Sequence, residues 1–352
     1  MKAQLTYSVN NGAANVTGYT GSGDVVIPST INIGTILNPH YLPVVSIGSA
    51  AFYGKTITSV TIADSITNIG TNVFAGCTHL AMVTIPDSIS NIADTTFYNC
   101  ISLTNMIIPD SVASIGGSAF YKCSGLTSVT IPGGVTNIGD WVFGYCSGLT
   151  NVTILTGVPS IGYADFAFCP KLMNVTIPNS VMIIGGGAFA QCPNLTSVTI
   201  PISVTNFGDG VFFGSSSLHQ AFFQGSAPSV NGGPGSADTS VFGGDSAGAV
   251  YYLPGSTGWG TTFGGWPTTL WNPQMQTGNG SFGVQNNQFG FNITGSSNLV
   301  IVVEAATNLA NPEWSPVSTN TLNTFAGTNG SSYFSDPQWT NFPNRFYRFR
   351  SP

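Results

Sequence analysis

The chain has 352 residues, only 6% of them charged, with a net charge of −6 and a pI near 4.6. Seven Lys plus Arg cannot build a basic stripe against a phosphate backbone, which excludes nucleic acid as a partner. Hydrophobic residues still make up 42%, so a core can be buried, and no apolar run reaches the roughly 20 residues that cross a bilayer as a helix.

Gly, Ser, Thr and Asn replace the missing charge, which suits an all-β chain rich in turns. The opening segment "MKAQLTYSVNNG" shows no apolar h-region of a signal peptide. Two readings stay open: a cytosolic protein, or a mature secreted form with a restored Met1. The Thr- and Asn-rich, Lys-poor composition favours an extracellular or cell-surface location. Residues 1–46 read as an N-terminal cap: a β-hairpin around Asn11-Gly12, then a first strand ending at Ile27. Ile27 and Ile62 are 35 residues apart, about 12 more than one repeat step. An insertion around "TILNPHYLP" is therefore expected to bulge from one face.

A 23-residue repeat organises residues 47–218. Cys77, Cys100, Cys123, Cys146, Cys169 and Cys192 keep that step. Each follows a Phe by three residues, from Phe74 to Phe189; Phe212 continues the row and Phe52 begins it one residue out of step. Each precedes a Leu by three residues, from Leu80 to Leu195. The unit reads IGxxxFxxCxxLxxVxIPxxVxx. Such a unit is too short to bury a core alone, whereas stacked units share one, so the fold is a solenoid. "LxxVxIP" alternates apolar and polar residues, which predicts one short strand per repeat, paired in parallel about 4.8 Å apart. Pro ends each strand, and the Gly after Ile is read as a turn position needing a special backbone angle.

This unit resembles the BspA-like subclass of leucine-rich repeats, from Ile47 to about Leu218. The resemblance implies a mainly β fold: a curved leucine-rich-repeat solenoid with a parallel sheet on its concave face. It also implies a secreted or surface-attached protein that binds other proteins or host surfaces. The repeat at "FYGKTITSV" departs from the pattern, lacking the Cys and one residue.

Residues 219–274 read as a degenerate repeat and C-terminal cap, with Phe242 in the Phe row and a strand near Ala249 to Leu253. A Gly-, Ser- and Pro-rich loop lies between them. Trp259, Trp266 and Trp271 follow; they read as closing the solenoid, with a ring-stacking sugar platform as the alternative. Residues 275–352 read as a small antiparallel β-sandwich of five strands, similar to C-terminal modules of secreted bacterial repeat proteins. Arg345, Arg348 and Arg350 alternate with Phe346 and Phe349 on its last strand; a solvated strand face is expected, with an anion contact as the alternative.

The cysteines do not read as chemistry. Zinc sites use short Cys spacings, and His40, His79 and His219 lie outside the Cys register. A disulfide between neighbours is geometrically conceivable. The expected arrangement is a buried ladder of free thiols packing as small hydrophobes. Asp64, Asp87 and Asp110 share one repeat position and could imitate an acid pair or a calcium site, but Gly133, Thr156, Asn179 and Ile202 end the series, so a turn role is expected. No nucleophile elbow, P-loop or HExxH segment occurs. No catalytic residue, metal or cofactor is expected.

The outward strand positions form the candidate site. One column is Ser59, Met82, Asn105, Ser128, Asn151, Asn174 and Ser197; the next is Thr61, Thr84, Ile107, Thr130, Thr153, Thr176 and Thr199. Thr is first a good strand residue. As a surface, the columns offer an uncharged hydrogen-bonding carpet for an extracellular protein or glycan. The function expected is non-enzymatic binding or adhesion through the solenoid. The alternative is a self-assembling subunit of an extracellular filament or layer, since low charge limits repulsion between copies.

Overall fold

A computed structural model describes residues 4–230, 233–234, 240–244, 248–278, 280–295, 300–322 and 330–350. The strands Leu5–Asn10 and Ala13–Tyr19 form an antiparallel hairpin. Asn11 and Gly12 both have positive φ, the turn geometry that matches the twist of such strands. Ala13–Tyr19 pairs in parallel with Tyr41–Ile47, and Gly23–Ile27 pairs in parallel with Ile57–Ile62. The inserted residues fold into a second hairpin, Thr30–Asn32 against Tyr41–Ile47, whose tip leaves Ile36 and Leu37 97% exposed.

Each coil of the solenoid carries three segments that hydrogen-bond to neighbouring coils. The first builds the main parallel sheet, with partners one repeat apart: Ser128, Asn151 and Asn174 lie side by side, as do Ser197 and Gln220. The second is a two-residue strand, as at Ser114–Ile115 between Asn91–Ile92 and Asn137–Ile138. The third is the turn segment bearing Phe and Cys, where the N–H of Phe74 donates to the carbonyl of Thr96 at 2.9 Å and that of Phe97 to Ala119 at 2.8 Å. The alternation read from the sequence appears as burial: Val129 and Ile131 point into the core while Ser128 and Thr130 are exposed.

The Phe row is one continuous stack. Ring centroids from Phe52 through Phe212 lie between 5.1 and 5.7 Å apart. Tyr19 of the first hairpin covers one end at 5.4 Å from Phe52. Beyond Phe212 the stack passes through Phe242 to Trp266, whose rings are 4.0 Å apart. Both ends of the Phe stack thus carry a closing ring, as a solenoid core requires.

All six cysteines are buried and none is in a disulfide. Each Sγ donates to the carbonyl of the Phe one coil earlier, from Cys77 to Phe52 at 3.0 Å through Cys192 to Phe166 at 3.2 Å. Ser215 continues the row, donating to Phe189 at 2.8 Å. Burial pushes the thiols of Cys123 and Cys192 up to about 12 and that of Cys77 up to about 11.

The Ile-Gly pairs have a different cause from the one expected. Gly70, Gly116, Gly139, Gly162, Gly185 and Gly208 do not have positive φ. A Cβ at Gly139 would instead lie 2.5 Å from the Gly117 nitrogen, and one at Gly208 2.2 Å from that of Gly186. Glycine is there because adjacent coils approach too closely for a side chain.

The C-terminal segment forms two antiparallel sheets. One joins Gln274–Gln276, Gln288–Gly295, Gly283–Gln285 and Gly330–Asp336; the other joins Ser315–Thr321, Val300–Ala306 and Phe346–Arg350. Phe291 and Ile293 of the first meet Ile301 and Val303 of the second in a shared core. Among the described residues seven strands stand where five were expected, because Gln274–Gln276 and Gly283–Gln285 are short edge pieces with little apolar pattern. The loop expected between Phe242 and Ala249 lies partly outside the described residues, at 245–247.

Candidate binding face

Both expected columns lie on the solvent side of the main sheet. In the first, Ser59 pairs with Met82, Met82 bridges to Asn105, and Ser128, Asn151 and Asn174 run on to the next sheet at Ser197. In the second, Thr61 faces Thr84, Thr130 faces Thr153 and Thr176, and Thr199 follows. Ile107 stands between, 74% exposed, and with Met82 at 61% makes an apolar island in the carpet. Alternation with buried Val60, Val83, Val129, Val152 and Val198 fixes this orientation.

Register extends both columns beyond the residues singled out in the sequence. Asp24 precedes Ser59 and Val26 precedes Thr61. Asp24 accepts hydrogen bonds from the hydroxyls of Ser59 at 2.6 Å and Thr58 at 2.8 Å, and these hold its carboxyl below the ordinary value. At the other end Gln220 follows Ser197, and Phe222, Tyr251 and Thr269 follow Thr199. Phe222 lies one repeat step after Thr199, so the sequence carried this signal.

The column changes character where it is covered. Phe222 and Tyr251 are buried in the same cluster as Phe291, Ile301 and Phe334 of the C-terminal sheets. The C-terminal sheets therefore sit on the last coils of the main face and close that end. A cavity of about 230 Å³ remains at the junction, lined by Phe222, Tyr251, Trp271, Phe349 and Arg350. A second depression joins Thr176 and Thr199 of the carpet to Gln224 and Arg350.

Arg348 and Arg350 stand on the exposed face of their strand, as expected, at 48% and 42% exposure, whereas Arg345 just before it is 11% exposed. Arg348 and Arg350 grip opposite oxygens of the buried Glu304 carboxylate, each at 2.7 Å. Desolvation pushes the Glu304 carboxyl up, but the hydrogen bonds and charges of the two guanidiniums outweigh it and hold it below the ordinary value. Arg345 pairs with Asp336 at 2.6 Å. Glu304 is more than forty residues away in sequence, which is why no local pattern announced it.

The remaining candidates are dispersed. Asp64, Asp87 and Asp110 sit exposed at turns, and His40, His79 and His219 lie exposed on separate coils. Among the described residues, no three His, Cys, Asp or Glu side chains gather as metal ligands. Trp266 and Trp259 pack into the end of the solenoid, Trp259 against Phe223 and Tyr252, in keeping with the closing role, whereas Trp271 packs against the C-terminal core and lines the junction cavity. Among the described residues, no helix is long and apolar enough to cross a membrane.

With this geometry in hand, comparison with known proteins is specific. A family model, the BspA type leucine-rich repeat region, matches residues 45–162 and 142–232 in six copies, more than half of the chain. A leucine-rich repeat protein from Bacteroides ovatus is similar in structure, with a TM-score of 0.54 and 28% identity, over 70% of this chain and 69% of that one. The T. pallidum leucine-rich repeat protein TpLRR is 31% identical over 54% of this chain and 87% of its own, with a TM-score of 0.49. No curated protein matches significantly.

Proposed function

Because the chain belongs to the BspA-type leucine-rich repeat family, we propose that it is a non-enzymatic extracellular or cell-surface protein that binds protein or glycan partners through its main sheet. One observation carries this reading. The same column is mostly Thr where the sheet is open, with Val26 and Ile107 as its apolar members, and Phe222 and Tyr251 where the chain's own C-terminal sheets cover it. Strand propensity alone would accept aromatic or β-branched residues throughout. A row of Ser, Asn and Thr with Asp24 at its first coil is suited to hydrogen bonding with an incoming surface. The C-terminal sheets bound that surface at one end and place Arg350 beside it.

Self-assembly through the solenoid ends finds no such support, since closing rings stand at both ends of the stack. Binding of the intact chain to an array of extracellular-matrix proteins and glycans tests the reading. Retention of at least one member is expected; an array without hits contradicts it.

A further inference from the structure

A second surface lies on the turn side of the coils, away from the main sheet. Tyr98, Tyr121, Trp141, Tyr145, Tyr163 and Phe168 form a continuous network of rings outside the buried Phe stack. Tyr98 stacks on Tyr121 at 5.3 Å, and Tyr145 on Phe168 at 4.3 Å. Trp141 meets Tyr163 edge-on at 5.9 Å. Tyr163 is 52% and Phe168 36% exposed.

The backbone under these rings gives an independent observation. Trp141, Tyr145 and Phe168 have φ of 60°, 60° and 58°. Bulky residues are rare in this left-handed region, which glycine and asparagine occupy readily. In other coils the position of Trp141 is filled by Asn72, Thr95, Ser118, Ala164, Gly187 or Gly210, and that of Tyr145 and Phe168 by Gly76, Asn99, Lys122, Gln191 or Gly214, all at positive φ. The solenoid therefore does not need aromatic rings here. Three rings stand side by side in adjacent coils at positions of this fixed backbone that other coils fill with small or flexible residues.

We propose that this strip is a carbohydrate-binding platform for a neutral, linear polysaccharide. Aromatic rings offer apolar faces and edges to the C–H surfaces of sugar rings, and the phenol hydroxyls stand ready for sugar hydroxyls. Lys122 lies over Tyr121 and Tyr145, 5.4 and 5.8 Å from the ring centres. Asp140 accepts the Tyr163 N–H at 3.1 Å, and Asp94, in the coil of Tyr98, accepts that of Gly117 at 2.7 Å. With Lys122 against the carboxylates of Asp94 and Asp140, the strip matches a neutral ligand better than an acidic one. Its extent across four coils suits a chain of sugars more than a single one. The residues are distinct from the main-sheet columns, so this site stands or falls separately from them.

Affinity electrophoresis through gels containing mixed-linkage β-glucan, arabinoxylan, galactomannan or dextran tests the proposal. At least one polysaccharide is expected to retard the intact protein. Trp141→Asn alone is expected to weaken that binding about fivefold or more. The triple variant Trp141→Asn, Tyr145→Asn, Phe168→Asn is expected to migrate as in a plain gel. Because asparagine suits this backbone, its thermal midpoint should equal or exceed that of the wild type. Absence of retardation in all four gels, or its persistence in the triple variant, overturns the proposal. So does a triple variant that melts well below the wild type, which would make the rings structural. Concentration-dependent self-association that the triple variant abolishes would assign the strip to a second copy of the chain, and likewise overturns it.

Discussion

Asp165 accepts the backbone N–H of Gly162 on its Oδ2 at 2.7 Å. In neighbouring coils the equivalent N–H groups of Gly139 and Gly185 go to the carbonyls of Ile115 and Ile161. The Asp165 Oδ1 also takes the N–H of Val142 at 3.1 Å. A side chain thus replaces a backbone acceptor in a column otherwise filled by Val73, Thr96, Ala119, Val142, Ala188 and Val211. Burial pushes the Asp165 carboxyl up to about 7, against the pull of the two N–H groups, and Asp140 adds to the rise.

The sign of the pH effect follows. The ordinary value is 3.8, so between about 4 and 7 the folded chain holds a proton that the unfolded chain has released. Asp165 therefore lowers stability as pH rises through that window, by about 2–4 kcal/mol in total, and adds no further slope above it. Thermal melts of the wild type and Asp165→Ala across the window are the check. The wild type should lose stability relative to the variant as pH rises; parallel curves would refute the assignment.

The thiol ladder should be silent in the native state. Six buried thiols, all pushed upward by burial, hold almost no thiolate at neutral pH. A chromogenic disulfide reagent is expected to count none before denaturation and six after it. Rapid native reaction of any one would show that its coil opens locally.

Removing one ring from the Phe stack should be costly. Phe120 is fully buried between Phe97 and Phe143, at 5.3 and 5.1 Å. Phe120→Ala is expected to cost about 3–5 kcal/mol in denaturant unfolding. Cys123→Ser should cost clearly less, because Ser215 already makes the same bond to a Phe carbonyl. Equal losses would mean that the sulfur's packing, and not its hydrogen bond, dominates.

The docking of the C-terminal sheets rests on Phe222 and Tyr251. Replacing both by Thr restores the column as it stands at Thr199. Limited proteolysis should then cut faster around residues 271–274, with the docking weakened by about 3 kcal/mol or more. Unchanged cleavage would place the docking energy elsewhere in the junction.

Much of this fold was legible because two periods coincide. The 23-residue step gave the stacked Phe, Cys and Leu rows, and alternation within "LxxVxIP" separated Ser128 and Thr130 from Val129 and Ile131. What escaped was of other kinds. Gly139 is required by a neighbouring coil that a local reading cannot see. The pairing of Arg348 and Arg350 with Glu304 spans more than forty residues, about the length of two coils. Phe222 could be found in register with Thr199, but its cover is a tertiary fact. The aromatic strip had a signal that went unread: Tyr145 and Phe168 stand where Gly76 and Asn99 stand in earlier repeats.

The most direct test of the open main sheet as a ligand surface is a binding isotherm. It uses any array partner that still binds the Trp141, Tyr145 and Phe168 asparagine variant. Thr130→Arg with Thr153→Arg places two charges in the middle of the carpet, where both residues are solvent-facing. Affinity is expected to fall by about a hundredfold, with the thermal midpoint little changed. An isotherm that superimposes on that of the unsubstituted face would contradict the account.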